Sequence, residues 1–99
     1  MTKPYILDKE NDRIIWYCPG CKATHPLSRE GWKITFDNGL GAYPSILVTT
    51  EDSRCHSYLV GDEIIYMVDS THKLSGGTVK LRPVPQKFIT AYENDHMKG

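Results

Sequence analysis

Cys18 and Cys21 flank a Pro-Gly pair, and His25 follows four residues later. Two thiols on either side of such a turn converge on one tetrahedral ion, because the turn folds the chain back and its small residues let backbone amides approach the sulfurs. A redox Cys-x-x-Cys pair would instead have its second cysteine running into a helix, whereas Lys22 to Pro26 reads as an extended segment stopped by a proline. The chain holds three cysteines, an odd number, and Met1 to Tyr5 carry no apolar leader, so thiols binding a metal in a reducing cytoplasm are expected over a disulfide framework. Two further groups bear chemistry: Cys55-His56, and Asp69-Ser70-Thr71-His72.

The elements that must position these residues read as strands. Arg13-Ile14-Ile15-Trp16-Tyr17 is β-branched and aromatic and delivers the chain into Cys18; Lys22 to Leu27 returns antiparallel to it. Trp32, Ile34 and Phe36 alternate with polar residues, the period of a half-buried strand with those three facing inward. Asp37 to Tyr43, with two glycines, is expected to be an exposed loop, and Ser45 to Thr50 the next strand. Arg54 to Val60 and Glu63 to Val68 form a hairpin about Gly61-Asp62. Counting back from that turn sets Cys55 opposite Val68 at the open end of the hairpin, from which Asp69 to His72 depart. Thr71 to Gly77 suits one helical turn closed by glycine, Thr78 to Leu81 a short strand, and Phe88 to Met97 a short helix or a frayed tail. The fold class is mainly β: a single domain over 1–99 with its core at about 14–82 and a C-terminal tail at 83–99, an antiparallel sheet with a zinc-ribbon-like knuckle and little helix.

Three thiolates and one imidazole make a closed tetrahedral zinc site. His25 is carried away by the return strand, and His56 faces away from Cys55 if the strand is regular. His72 sits at the correct hairpin end. The expected Zn2+ ligands are therefore Cys18, Cys21, Cys55 and His72, and a closed set of that kind is structural. His25, His56 and Asp69 remain as a polar cluster able to serve acid–base catalysis if the protein is an enzyme, or to orient the ligands if it is not.

Trp16 to Cys21 with His25, then Trp32 and Phe36 ahead of Pro44 to Val48, then Cys55-His56-Ser57-Tyr58 and Asp69 to Gly76, resemble a family of small phage and bacterial proteins of unknown function. Some of its members carry an ammonia monooxygenase label, which implies a membrane architecture and copper chemistry that a small soluble domain lacks. The resemblance covers residues 14–82 and departs at Asp37 to Ser45. It implies a zinc-ribbon-like fold and an accessory protein of phage or bacterium, some relatives lying beside ubiquitin-like conjugation genes.

Twelve basic and twelve acidic residues give a formal net charge of zero, so no global field draws the chain to nucleic acid or to an anionic membrane. No stretch approaches the roughly 20 apolar residues of a transmembrane helix. Trp16, Tyr17, Lys22, Trp32 and Lys33 around the knuckle are the features that would suit nucleic acid, but aromatics also cover a small core. The expectation is a zinc-stabilised cytoplasmic module that binds a protein partner. A zinc-dependent hydrolase and a nucleic-acid-binding ribbon stand as alternatives.

Overall fold

The computed structural model describes residues 4–96; residues 1–3 and 97–99 lie outside it. Its elements run β1 (Tyr5–Asp8), β2 (Arg13–Cys18), β3 (Ala23–Ser28), β4 (Lys33–Thr35), β5 (Gly41–Thr49), β6 (Arg54–Val60), β7 (Glu63–Tyr66), β8 (Thr78–Lys80) and α1 (Gln86–His96). The chain is mainly β with one short helix, as its patterning implies. Instead of one sheet there are two antiparallel meanders, β1-β2-β3 and β4-β5-β6-β7-β8. No helix is long and apolar enough to cross a membrane among the described residues.

The two sheets share one core. Ile14, Trp16 and Cys18 alternate along one face of β2, Leu27 adds to it from β3, and Ile46, Cys55, Leu59, Ile64 and Tyr66 close it from the larger sheet. Each such aliphatic or aromatic side chain contributes about 1.5–3 kcal/mol on burial. On the outer face of β2, Tyr17 meets Phe88 of α1 with ring centroids 5.7 Å apart. The C-terminal segment is thus a helix, and Val84 just ahead of it is buried, so the core extends beyond residue 82.

Asp8 fixes the β1–β2 corner. Its buried carboxylate takes a 2.7 Å contact from Arg13 Nε and a 2.9 Å hydrogen bond from Asn11 Nδ2. Burial alone would raise the carboxyl pKa, but the bonds from Asn11 and Arg13, with a further one from Tyr92, outweigh it and hold the group well below the usual carboxylate range. A depressed folded pKa adds stability above the unfolded value of about 3.9, lost as pH falls through the folded value. Asp8→Asn is therefore expected to lower the melting temperature at pH 7, with the gap to the parent protein narrowing below about pH 4. Differential scanning fluorimetry across pH checks this, and taking the difference removes the thiol contribution that both proteins share. A gap unchanged with pH would show that the carboxylate charge is not what stabilises the corner.

The hairpin count holds: Val60 pairs with Glu63 and Ser57 with Tyr66, and Gly61 and Asp62 take φ of 56° and 64°. Regular pairing ends there, so Cys55 does not reach a ladder partner at Val68. The expected strand at Trp32 to Phe36 is shorter, and Phe36 is not inward; it is 39% exposed with its ring beside Tyr5. The expected loop at Asp37 to Tyr43 is corrected more strongly. Leu40 is fully buried, Ala42 lies in the core opposite Leu59, and Gly41 to Tyr43 pair with β4. Asp62 causes this, its Oδ1 accepting the Leu40 amide at 2.6 Å while its own amide donates to the Leu40 carbonyl at 3.1 Å. The turn of one hairpin thus draws a glycine-rich stretch inward that composition alone marks as surface.

Candidate functional site

Cys18, Cys21, His25 and Cys55 offer ligand atoms that all lie within 4.8 Å of one another, close enough to bind a metal ion. Cys18 ends β2, and the turn after it returns Cys21, whose amide donates to Cys18 Sγ at 3.4 Å. His25 reaches the group because Trp16 is its partner in the β2–β3 register, which makes Cys18 its diagonal neighbour on the same face. Diagonal neighbours on an antiparallel pair are within reach of a long side chain. The return strand therefore brings His25 in. Cys55 arrives from the opposite sheet, its Sγ 3.8 Å from that of Cys18.

Thiols this close cannot all ionise without a counter-charge. Hydrogen bonding from Cys55, helped by His25, the Tyr66 hydroxyl and the Cys21 amide, pulls Cys18 down to about 3 against the effect of burial. Cys55 is pushed up, first because its proton is held by Cys18 and then by burial; Cys21 is raised by burial and by the neighbouring Cys18 charge. A cation at the centre would let all three be thiolates. His25 is buried, and its Nε2 finds no hydrogen-bond partner among the described residues.

His72 lies at the hairpin end where the sequence puts it, its Nε2 3.6 Å from Cys55 Sγ, but it stands outside the group of four. Its ring packs edge-on against Tyr66, with centroids 4.4 Å apart. It fills the space over Gly20, where a Cβ would come within 2.4 Å of the ring. The Leu74 amide donates to His72 Nδ1 at 3.2 Å, which leaves the ring proton on Nε2, directed at the Cys55 sulfur. A protonated Nε2 donates to a thiolate and does not ligate a metal.

The other cluster lies across the sheet. β6 alternates, so Cys55 points into the core and His56 outward, opposite Leu47 of β5. His56 Nδ1 lies 3.1 Å from each carboxylate oxygen of Asp69, and His56 Nε2 lies 3.0 Å from Ser45 Oγ. An ionised carboxylate only accepts, so Nδ1 carries the proton and Nε2 is left to accept from the serine hydroxyl. His56 and Asp69 thus come together away from the thiols, while His25 joins the metal group; the three do not form one cluster.

Local structure accounts for each position. Leu47 pairs with His56, which makes Ser45 the diagonal neighbour of His56 on the same face, and the β5–β6 register slips just beyond it, between Ala42 and Ile46. Asp69 hangs from a segment that pairs with β6 through hydroxyls. Ser70 Oγ accepts the His56 amide and donates to the His56 carbonyl, both at 3.0 Å, and Thr71 Oγ1 does the same for Arg54 at 2.9 and 3.2 Å. Arg54 Nη1, 3.7 Å from Asp69, adds a partly exposed ion pair. Ser45 is the member of this hydrogen-bonded series that reading the sequence misses. The signal was present in the turn at Thr50 to Ser53, because counting back from it pairs Leu47 with His56 and places Ser45 on the same face.

No family model, curated protein or solved structure matches the chain.

Proposed function

We propose that this protein is a serine-type hydrolase of acyl bonds, with Ser45 as nucleophile, His56 as general base and Asp69 as the orienting acid, on a scaffold stapled by structural zinc. The hydrogen-bonded series Ser45–His56–Asp69 carries the reading. A Ser-His-Asp constellation is recognised by geometry and roles rather than by sequence order. Ser45 Oγ attacks a carbonyl carbon as its proton passes to His56 Nε2; collapse of the tetrahedral adduct breaks the acyl bond, and the leaving group takes that proton. Water, deprotonated by the same nitrogen, then hydrolyses the acyl-serine. The backbone amide of Ser45, at the bulge and without an opposing residue in β6, is the donor proposed for the oxyanion. Exposed Leu47 and Tyr43, two residues to either side of Ser45 in β5, give an acyl substrate an apolar footing.

Zinc takes no part in that chemistry. Cys18, Cys21, His25 and Cys55 suit it: their soft sulfurs and imidazole are its usual donors, and the 3.8 Å Cys18–Cys55 separation equals the edge of a tetrahedron about an ion with Zn–S bonds of about 2.3 Å. His72 donates to Cys55 from outside the ligand set. His72→Ala is expected to weaken zinc about 10- to 100-fold while one ion per chain is retained, as for other partners that orient ligands. His25→Ala should cost more and admit water to the ion; competition with a chelator and the Co2+ spectrum of each variant make the comparison. The ligand set would have to be redrawn around His72 if its loss were the larger.

The hydrolase reading is tested with a fluorophosphonate probe, which forms a covalent bond only to an activated serine. Intact-mass and peptide analysis should place one adduct on Ser45, absent in His56→Ala. No adduct, or an adduct indifferent to His56, would return the protein to the class of zinc-stabilised interaction modules.

A further inference from the structure

We propose that the cavity beside the knuckle is a binding site for the phosphate group of a small phosphorylated ligand. This cavity of about 510 Å³ is walled by Lys22, Lys73 and Arg82, with Pro19 and Gly20 among its other lining residues. The three cations come from separate parts of the chain: the turn after β2, the segment between β7 and β8, and the stretch after β8. No acidic residue lines it, and none of the three cations forms a salt bridge among the described residues. Four other cavities each set an acid beside their bases: Asp37 by Lys33, Asp12 by Arg29, Glu63 by Lys80, and Asp52 by Arg54. A chain with zero net charge thus gathers three positive charges in one concavity and leaves their counter-charge to a ligand.

The chemistry of the donors narrows that ligand. An arginine fork and two lysines match a phosphate monoester, which carries about −1.5 to −2 at neutral pH, better than a carboxylate with a single charge. The volume exceeds a bare phosphate and falls in the range of small-molecule sites, about 300–1,000 Å³. A nucleic-acid strand fits less well, because no Phe, Tyr or Trp lines the cavity to stack a base, its one imidazole, His72, is already packed edge-on against Tyr66, and a neutral chain lacks the wider basic track that a strand's backbone needs. Gly20 forms part of the wall between two cysteines of the metal group, so the site requires the metal-loaded protein.

The test titrates pyrophosphate and inorganic phosphate into the zinc-loaded chain, followed by isothermal calorimetry and by NMR of the Arg82 Nε–H and the Lys22 and Lys73 amides, against sodium chloride at equal ionic strength. Saturable binding of pyrophosphate that moves those signals is expected. Arg82→Gln and Lys73→Gln should each weaken it about 10-fold or more, as for loss of a charge-assisted hydrogen bond, with zinc content unchanged. Lys22→Gln gives a third reading should either of these fail to fold. The proposal is overturned by non-saturating shifts equal to those in chloride, by unchanged affinity in the variants, or by an oligonucleotide that binds more tightly than pyrophosphate with a steep salt dependence. Because the readout is binding, its failure leaves the assignment of Ser45 untouched, and labelling at Ser45 leaves this site untouched.

Discussion

Ser45→Ala should lower hydrolysis of an activated acyl ester by about 10⁴- to 10⁶-fold, the range seen when the nucleophile of a Ser-His-Asp unit is removed. The zinc content and melting temperature should hardly move. Ser45 is only partly buried and lies on the outward face of β5, so losing its hydroxyl opens no core cavity. His56→Ala is expected to cost a similar factor, Asp69→Asn less, and the triple variant scarcely more than Ser45→Ala, because the three act as one unit. Progress curves for a chromogenic ester, with all variants purified alongside one that lacks zinc, separate this from background. Equal turnover by Ser45→Ala and the parent would exclude the relay as a catalytic device, whatever its geometry.

Cys55→Ser should have the largest effect on stability. Cys55 is the member of the metal group that comes from the larger sheet, whereas Cys18, Cys21 and His25 come from the smaller. Without it a bound ion would no longer link the two sheets, and zinc binding in small domains is itself folding free energy, about 10–16 kcal/mol in zinc-finger peptides. The expected outcome is loss of zinc and of a cooperative melting transition, and a strong chelator should do the same to the parent chain. Circular dichroism melts with parallel zinc determination check it. A Cys55→Ser chain that melted as the parent does would mean that the shared apolar core alone holds the sheets together.

Much of this architecture is legible in the residues. β-branched and aromatic residues reveal β2, and the Gly61-Asp62 turn reveals the β6–β7 hairpin and sets the register that links Cys55 to the His72 end of the hairpin. The Pro-Gly turn brings Cys18 and Cys21 into one group, and the zinc-type donors stand out by type. What is not legible depends on contacts between elements. Leu40 goes inside because a side chain twenty-two positions away captures its amide. His25 and His72 differ not by distance along the chain but by which strand face and which tautomer the fold imposes. Ser45 carries no motif; only a diagonal pairing across two strands, counted back from the turn between β5 and β6, puts it beside His56, and a single residue does not advertise that.

The alternation of β6 has a genetic consequence. Along Arg54 to Val60, odd-numbered residues serve the interior and even-numbered ones the outward face, so the Cys55 sulfur and the His56 imidazole are set by parity alone. Any insertion or deletion of one residue that slides β6 in its ladder would exchange the two, turning the imidazole toward the metal and the thiol toward water. The metal group and the Ser45–His56–Asp69 series would be lost together from a change that alters none of their side chains. Length variation should therefore be tolerated in the turn at Glu51 to Ser53, where the chain reverses between strands, and purged within β6 itself.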